Sequence, residues 1–401
     1  MTAPMFAGLK VIDCASYIAA PAAATIFSDF GADVIKIEPP GDGDPYRKLS
    51  SLPGYPVSEH NYCWVLDARN KRSLALDLRK PEGREVIQNL AAQADIFITN
   101  YPLQTREKLG ISYAALKPLN ERMIYASFTG YGETGAEANK PGFDSNAYWA
   151  RSGLMDLVRP DAKSPPARSL PGQGDHPSAI SLFAAIAMAL YQRERTGKGT
   201  QVGTSLIANG VWSNACFSQA KLCGATFIDR PAHEDQPNAV VSHYQCADGR
   251  WLMLSLLDED RQWPGLAKAI GRGDLVSDPR FAEKPSRRAN ARQLTAILDE
   301  TFASKPIAAW RKILDAGGVM FSIIGTVDDL PTDEQMLETK VLVPFENDTM
   351  LTINSPFWVD GTEKVTPRHA PNVGQHTDDV LRDAGYDTAK IAALRAAGVV
   401  S

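Results

Sequence analysis

The chain of 401 residues lacks the features that would place it quickly. It has no GxGxxG motif, so a dinucleotide pyrophosphate would find no glycine turn to lie on. Its six histidines show no metal-ligand spacing, and its five cysteines form no CxxC pair. Cys14, Cys216 and Cys223 lie in apolar stretches and read as core thiols of a reducing compartment. There is no basic excess. A net charge of -5 argues against a nucleic-acid partner and leaves room for a local basic pocket. No basic-then-apolar segment reads as a signal peptide, and no run is long enough to span a bilayer. The expectation is a cytoplasmic, soluble protein with no metal and no membrane partner.

What is present is ordinary for a globular protein: 44% apolar and 22% charged residues, with length enough for two domains. Short apolar runs alternate with helical patterns from Leu9 to Phe128. Runs at 9–13, 34–38, 73–78, 96–99 and 123–128 read as strands. Segments at 21–30, 81–93 and 113–119 read as helices. This alternation predicts an α/β fold with a parallel sheet covered on both faces. Ligands of such sheets sit beyond the carboxyl ends of the strands. The loops there carry Ser16 to Pro21, Pro39 to Asp44, Asn100-Tyr101 and Gly130 to Gly135. Arg47, Asn70-Lys71-Arg72, Arg79, Arg106, Lys108 and Lys140 stand close by, a set that suits a phosphate-bearing ligand.

The segment Pro171 to Gly199 has its own pattern. A Gly-Gln-Gly turn precedes Asp175, and Pro177 suits a first helical turn. The following residues are apolar nearly all round, which predicts a buried helix stopped by Gly197. Asp175 has two readings. It is a cap accepting N–H bonds from the first turn, or it is a carboxylate nucleophile that a large substrate reaches over the glycines. Backbone N–H groups at Gly172 to Gly174 would then face a tetrahedral oxyanion. Tyr148, Trp149 and Met155 suggest an apolar acyl pocket, and Arg151 or Arg168 could hold a dicarboxylate. The proline-bearing stretch 156–169 reads as irregular.

Past Gly224 the character changes. Two strand-like runs flank Asp248-Gly249, a hairpin signal. Helices follow at 262–271, 288–303 and 306–316. The division expected is 1–200 for the large domain, 201–224 for a linker helix, 225–329 for a small α/β domain, and 330–401 for a return segment completing the large one.

Four pairs of stretches occur together: LKVIDCASYIAAP with GADVIKIEPPGDGDPYR; NKRSLALDL with PEGREVI; GYGETG with KPGFD; and GDHPSA with RERTGKGTQV. With APNVGQHTDDVL near the end, the chain resembles the class III CoA-transferases, the carnitine and formyl-CoA transferase family that also holds the α-methylacyl-CoA racemases. The resemblance implies a Rossmann-like large domain built from both chain ends, a smaller domain, and an interlocked homodimer. It implies coenzyme A or acyl-CoA as substrate, a carboxylic acid acceptor, and no tightly bound cofactor. Matching position by position, it implies Asp175 as nucleophile. It also implies CoA contacts at Ile18, Ala19, Leu76, Arg79, Asn100, Tyr101, Lys108, Lys140 and Phe143. The chemistry implied is attack of Asp175 on a thioester to give an acyl anhydride, with CoA then carried as an aspartyl thioester. The racemases carry histidine where this chain has Phe143, which has no proton to exchange. The readings left beside transfer are racemization and non-catalytic binding of a CoA ester.

Overall fold

The computed structural model describes residues 4–401. Six parallel strands form the main sheet: β1 (Lys10–Asp13), β2 (Asp33–Glu38), β3 (Arg72–Ala75), β4 (Ile96–Thr99), β5 (Ile124–Thr129) and β6 (Gln201–Ser205). Their order is β3-β2-β1-β4-β5-β6, so the winding reverses between β1 and β4. The strands alternate between two cores, as the two-residue period of a strand requires. Val11, Ile96, Ile98, Ile124 and Ala126 face one layer. Ile12, Phe97 and Tyr125 face the other.

The helices of this part are α1 (Ala19–Asp29), α2 (Tyr62–Ala68), α3 (Pro81–Ala92), α4 (Leu103–Leu109), α5 (Tyr113–Leu116), α6 (Leu154–Leu157), α7 (Asp175–Thr196) and α8 (Leu206–Ser213). Every residue of α1 is buried, and its run of alanines lets α7 pack closely on it. The expected burial of α7 all round is corrected: the buried residues are Ser178, Ala179, Leu182, Ile186, Ala189 and Arg193, one stripe. Met188 and Tyr191 are 74% and 66% exposed, because no other element among the described residues covers that face. Cys216 and Cys223 are likewise exposed rather than core thiols, since the helix Ala215–Leu222 buries none of its residues. Their apolar neighbours in sequence do not form a buried stripe.

The chain divides into two compact units. One holds the chain up to Leu157, Arg168–Ala225 and Asp333–Ser401; the other holds Val158–Ala167 and Thr226–Thr332. Thus 201–225 groups with the large unit, where Gln201–Ser205 is the edge strand β6, and 158–167 groups with the small one. The C-terminal helices Thr377–Asp383 and Thr388–Ala396 bring Val380, Leu381, Ile391 and Leu394 into the same core as Ile12 and Phe97. In the small unit, β7 (His243–Gln245) and β8 (Trp251–Leu254) pair antiparallel across Asp248-Gly249, where Gly249 has φ +77°. A third strand, β9 (Phe321–Ile323), adds to them and had no clear sequence signal. The single helix expected at 288–303 is two, Lys284–Ala289 and Ala291–Phe302, broken at Asn290. No described helix is long and apolar enough to cross a membrane.

Candidate active site

The glycine turn before α7 is shaped by what surrounds it. Gly172 has φ +85°, a left-handed conformation that glycine adopts without strain. At Gly174 a Cβ would lie 2.6 Å from Cγ of Tyr148, so the ring leaves no room for a side chain. Tyr148 belongs to a wide helical turn, Asp144–Ala150, and is buried at 4% exposure. The first residue of that turn, Asp144, holds the glycines: its Oδ2 accepts N–H bonds from Gly172 at 2.9 Å and Gly174 at 3.3 Å. Those two donors are therefore taken by Asp144 and do not face a reacting oxygen. That corrects the expected oxyanion role. Asp144 follows Phe143 in sequence and gave no separate signal, because its partners are backbone groups nearly thirty residues away.

The capping role of Asp175 is also corrected. Gly174 is the cap, and Asp175 is the first residue of the helix. The Asp175 carboxylate accepts no hydrogen bond from the described residues. It is half-buried, and burial pushes it up to about 8, with Asp144 and Asp67 adding to the push and His176 opposing it. A carboxylate this poorly solvated and without donors is reactive when ionised.

His176 lies in the first turn of α7. Its Nε2 is 3.1 Å from Oδ1 of Asp67, and its Nδ1 is 3.1 Å from the carbonyl oxygen of Gly172. Asp67 is buried and its Oδ2 accepts the hydroxyl of Tyr46 at 2.6 Å. Burial opposes the charge on Asp67, but His176, Tyr46 and Lys71 hold it below the usual carboxylate range. Burial would pull His176 down, but Asp67, Asp175 and the Gly172 carbonyl lift it to about 9.

A cavity of about 330 Å³ opens beside Asp175, beyond the carboxyl ends of β1, β4 and β5. Of the residues singled out from the sequence, Ile18, Ala19, Asn100, Tyr101, Lys140, Phe143 and Asp175 line it together. Leu76, Arg79 and Lys108 do not. Leu76 is in the core, Arg79 is paired with Asp77 at the surface, and Lys108 lies on the exposed side of α4. Neither Tyr148, Trp149, Met155, Arg151 nor Arg168 reaches the cavity. The other basic residues near the strand ends serve the fold. Arg47 pairs with Glu38, Lys71 with Asp13, Arg72 with Asp33, and Arg106 with Glu133. Lys140 and Asp175 are the charged side chains on the cavity wall.

Two loops of the wall are clamped to each other. The Ser16 N–H donates to Oδ1 of Asn100 at 2.9 Å, and Nδ2 of Asn100 donates to the Ser16 carbonyl at 2.7 Å. Tyr17 has φ +64°, uncommon for a bulky residue. Its N–H is held by Asp44, and its ring meets Phe143 edge-on at 5.4 Å. Gly130 and Gly142 meet across the wall: a Cβ on Gly130 would come within 3.0 Å of the Gly142 Cα.

A cavity at the switch point with an acid on its wall that no described side chain or backbone donor holds invites comparison with known proteins. The model of CoA-transferase family III matches residues 6–377. The chain belongs to that family. It is 34% identical to the (R)-2-hydroxy-4-methylpentanoate CoA-transferase of Clostridioides difficile over 96% of each chain. It is 32% identical to the cinnamoyl-CoA:phenyllactate CoA-transferase of Clostridium sporogenes, covering 97% of this chain and 96% of that one. The crystal structure of a CAIB/BAIF family protein from Brucella suis superposes with a TM-score of 0.86 at 28% identity, covering 96% of this chain and all of the other. The parallel six-stranded sheet is thus that of the family.

Proposed function

We propose that this member of the family moves CoA from an acyl-CoA to a free carboxylic acid, with Asp175 as the covalent nucleophile. The observation that carries the reading is the Asp175 carboxylate itself: on the cavity wall, without a hydrogen bond from the described residues, and desolvated. A carboxylate oxygen of Asp175 attacks the thioester carbonyl, the C–S bond breaks, and CoA leaves as thiolate, giving an acyl anhydride on Asp175. The thiolate then attacks the Asp175 carbonyl carbon, releasing the donor acid as carboxylate and leaving an aspartyl-CoA thioester. The acceptor carboxylate reverses these two steps. Its anhydride with Asp175 forms as CoA leaves, and the thiolate takes the new acyl group and returns the Asp175 carboxylate. No proton is gained or lost over the cycle.

Racemization is disfavoured because Phe143 has no proton to exchange and both nitrogens of His176 are already engaged. Lys140 and Asp175 are the charged side chains of the cavity wall, and Ile18, Ala19, Leu103, Phe128, Phe143 and Leu206 give it an apolar part. With the two clostridial relatives named for hydroxy acids bearing branched or aryl side chains, this supports a monocarboxylic acyl group with an apolar side chain. We assign the CoA ester to this cavity, held by Ile18, Ala19, Asn100, Tyr101, Lys140 and Phe143. Leu76, Arg79 and Lys108 are left as contacts for its more distant parts. A homodimer is supported by the apolar residues of the large unit that its own chain leaves open, among them Met188, Trp212 and Leu222 at 74%, 80% and 82% exposure. A folded, active monomer in sedimentation at low concentration would refute the dimer. Five unpaired cysteines fit a cytoplasmic setting.

The test is transfer and trapping. Labelled acyl-CoA incubated with free acids should pass CoA to the second acid. Addition of hydroxylamine to the loaded enzyme should leave a hydroxamate at Asp175. Binding with no transfer to any acid would leave a CoA-ester binder, and α-proton exchange alone would make the protein a racemase.

A further inference from the structure

The cluster behind Asp175 has a member that the reaction as written does not use. A carbonyl oxygen can only accept a hydrogen bond, and so can an ionised carboxylate. His176 faces one of each, the Gly172 carbonyl at Nδ1 and Asp67 at Nε2, both at 3.1 Å. A neutral ring would set one lone pair against another at one of those contacts. Only the imidazolium, with both nitrogens donating, satisfies the two together. Its place is otherwise poor for a cation, because the first turn of a helix favours negative charge. The compensation is built: Asp67 is buried, immobilised by the Tyr46 hydroxyl at 2.6 Å, and aimed at Nε2. The neighbouring residue in the chain is Asp175.

We infer that His176 is a positioning residue for the proposed transfer: clamped as an imidazolium between Asp67 and the Gly172 carbonyl, it keeps a fixed positive charge beside Asp175 that favours the ionised carboxylate needed for attack. The inference rests on Asp175 being the nucleophile. The charged groups that act on Asp175 are Asp144 and Asp67, which oppose its ionisation, and His176, which favours it. Burial and the two acids together outweigh the imidazolium, so only a fraction of Asp175 is ionised at neutral pH, and the imidazolium sets how large that reactive fraction is. The same clamp fixes the Gly172 turn from the carbonyl side while Asp144 fixes it from the N–H side. The ring is spent on those two contacts and does not itself transfer a proton.

The experiment is the pH profile of kcat/KM in the full-length protein. Wild type should show an acid limb near the value of about 8 to which Asp175 is pushed. In His176→Gln the limb should move up by about one unit, so activity at pH 7 falls about tenfold and recovers above the new limb. His176→Lys returns a positive charge without the ring and should bring the limb most of the way back. An unmoved limb in His176→Gln, or an equal loss at every pH, would overturn the inference. So would a failure of both His176→Gln and His176→Asn to fold, since each outcome leaves the histidine structural only. Hydroxylamine trapping of wild type separates this from the underlying reading. No hydroxamate at Asp175 sinks the nucleophile, whereas a hydroxamate with an unmoved limb sinks His176 alone.

Discussion

Two groups of charges lie close to the cavity, and they are built on opposite plans. At the end of β1 and β2, Asp13, Asp44 and Glu38 meet Lys71, Lys36 and Arg47, at 2.8, 2.7 and 2.7 Å. Acids and bases are matched one to one, and the group clamps loops: Lys36 also donates to the Ala15 carbonyl, and Asp44 holds the Tyr17 N–H. At the start of α7, Asp67, Asp144 and Asp175 share one imidazolium. Asp67 takes it, Asp144 takes two backbone N–H groups, and Asp175 is left with neither. A matched cluster lowers its own energy and has nothing left to offer a substrate. An unmatched one keeps a carboxylate in a state that bond formation relieves.

The sharpest way to break the comparison is to neutralise the odd acid. Asp175→Asn should lower turnover by about three orders of magnitude or more while acyl-CoA still binds, read by steady-state kinetics and calorimetry. It should also stabilise the fold. The folded-state value of Asp175, about 8, lies above its unfolded value, so between the two the folded state holds the extra proton. Stability from this group is full below the unfolded value and is lost as pH rises through about 8. The melting temperature of Asp175→Asn should therefore exceed that of wild type, more at pH 8.5 than at pH 5. His176, raised to about 9, acts in the same sense: its contribution is present below its unfolded value and disappears as pH passes 9. A flat difference between variant and wild type across pH would contradict the desolvated acid.

Breaking the matched cluster should do the reverse. Lys71→Met leaves Asp13 buried without its closest partner, and destabilisation of about 3–5 kcal/mol is expected in denaturant unfolding. A loss of activity without loss of stability would mean that this cluster too serves the reaction. Gly174→Ala comes next in size. The new methyl would press on the Tyr148 ring at 2.6 Å, and about 1–3 kcal/mol of stability should go with it. A wild-type melting curve would show that the ring gives way easily. The smallest effect belongs to the cavity wall. Lys140→Ala should raise KM for acyl-CoA several-fold with little change in kcat, and by more than Arg79→Ala or Lys108→Ala, which stand off the cavity. Equal effects from all three would mean that the CoA ester runs well beyond the cavity.

Some of this was readable from the chain. The alternation of apolar runs and helical patterns determined the parallel sheet, because β1 to β5 are buried on both faces and each connection must cross over the sheet. The Gly-Gln-Gly turn and Pro177 located the start of α7 to within one residue, with Asp175 expected just before the helix and found as its first residue, since those local conformations are set by the residues themselves. Family-specific strings added the loops of the cavity. What pattern could not supply were the partners. Whether Arg106 faced a ligand or Glu133, whether the Gly172 N–H was free or bound to Asp144, and whether His176 was idle or clamped by Asp67 depend on groups 27, 28 and 109 positions apart in sequence. The same limit misjudged α7, whose composition suits burial all round but whose own chain covers a single stripe. Local conformation is a property of neighbours in sequence; the protonation and reactivity of a buried acid are properties of neighbours in space, and only the tertiary structure decided which those were.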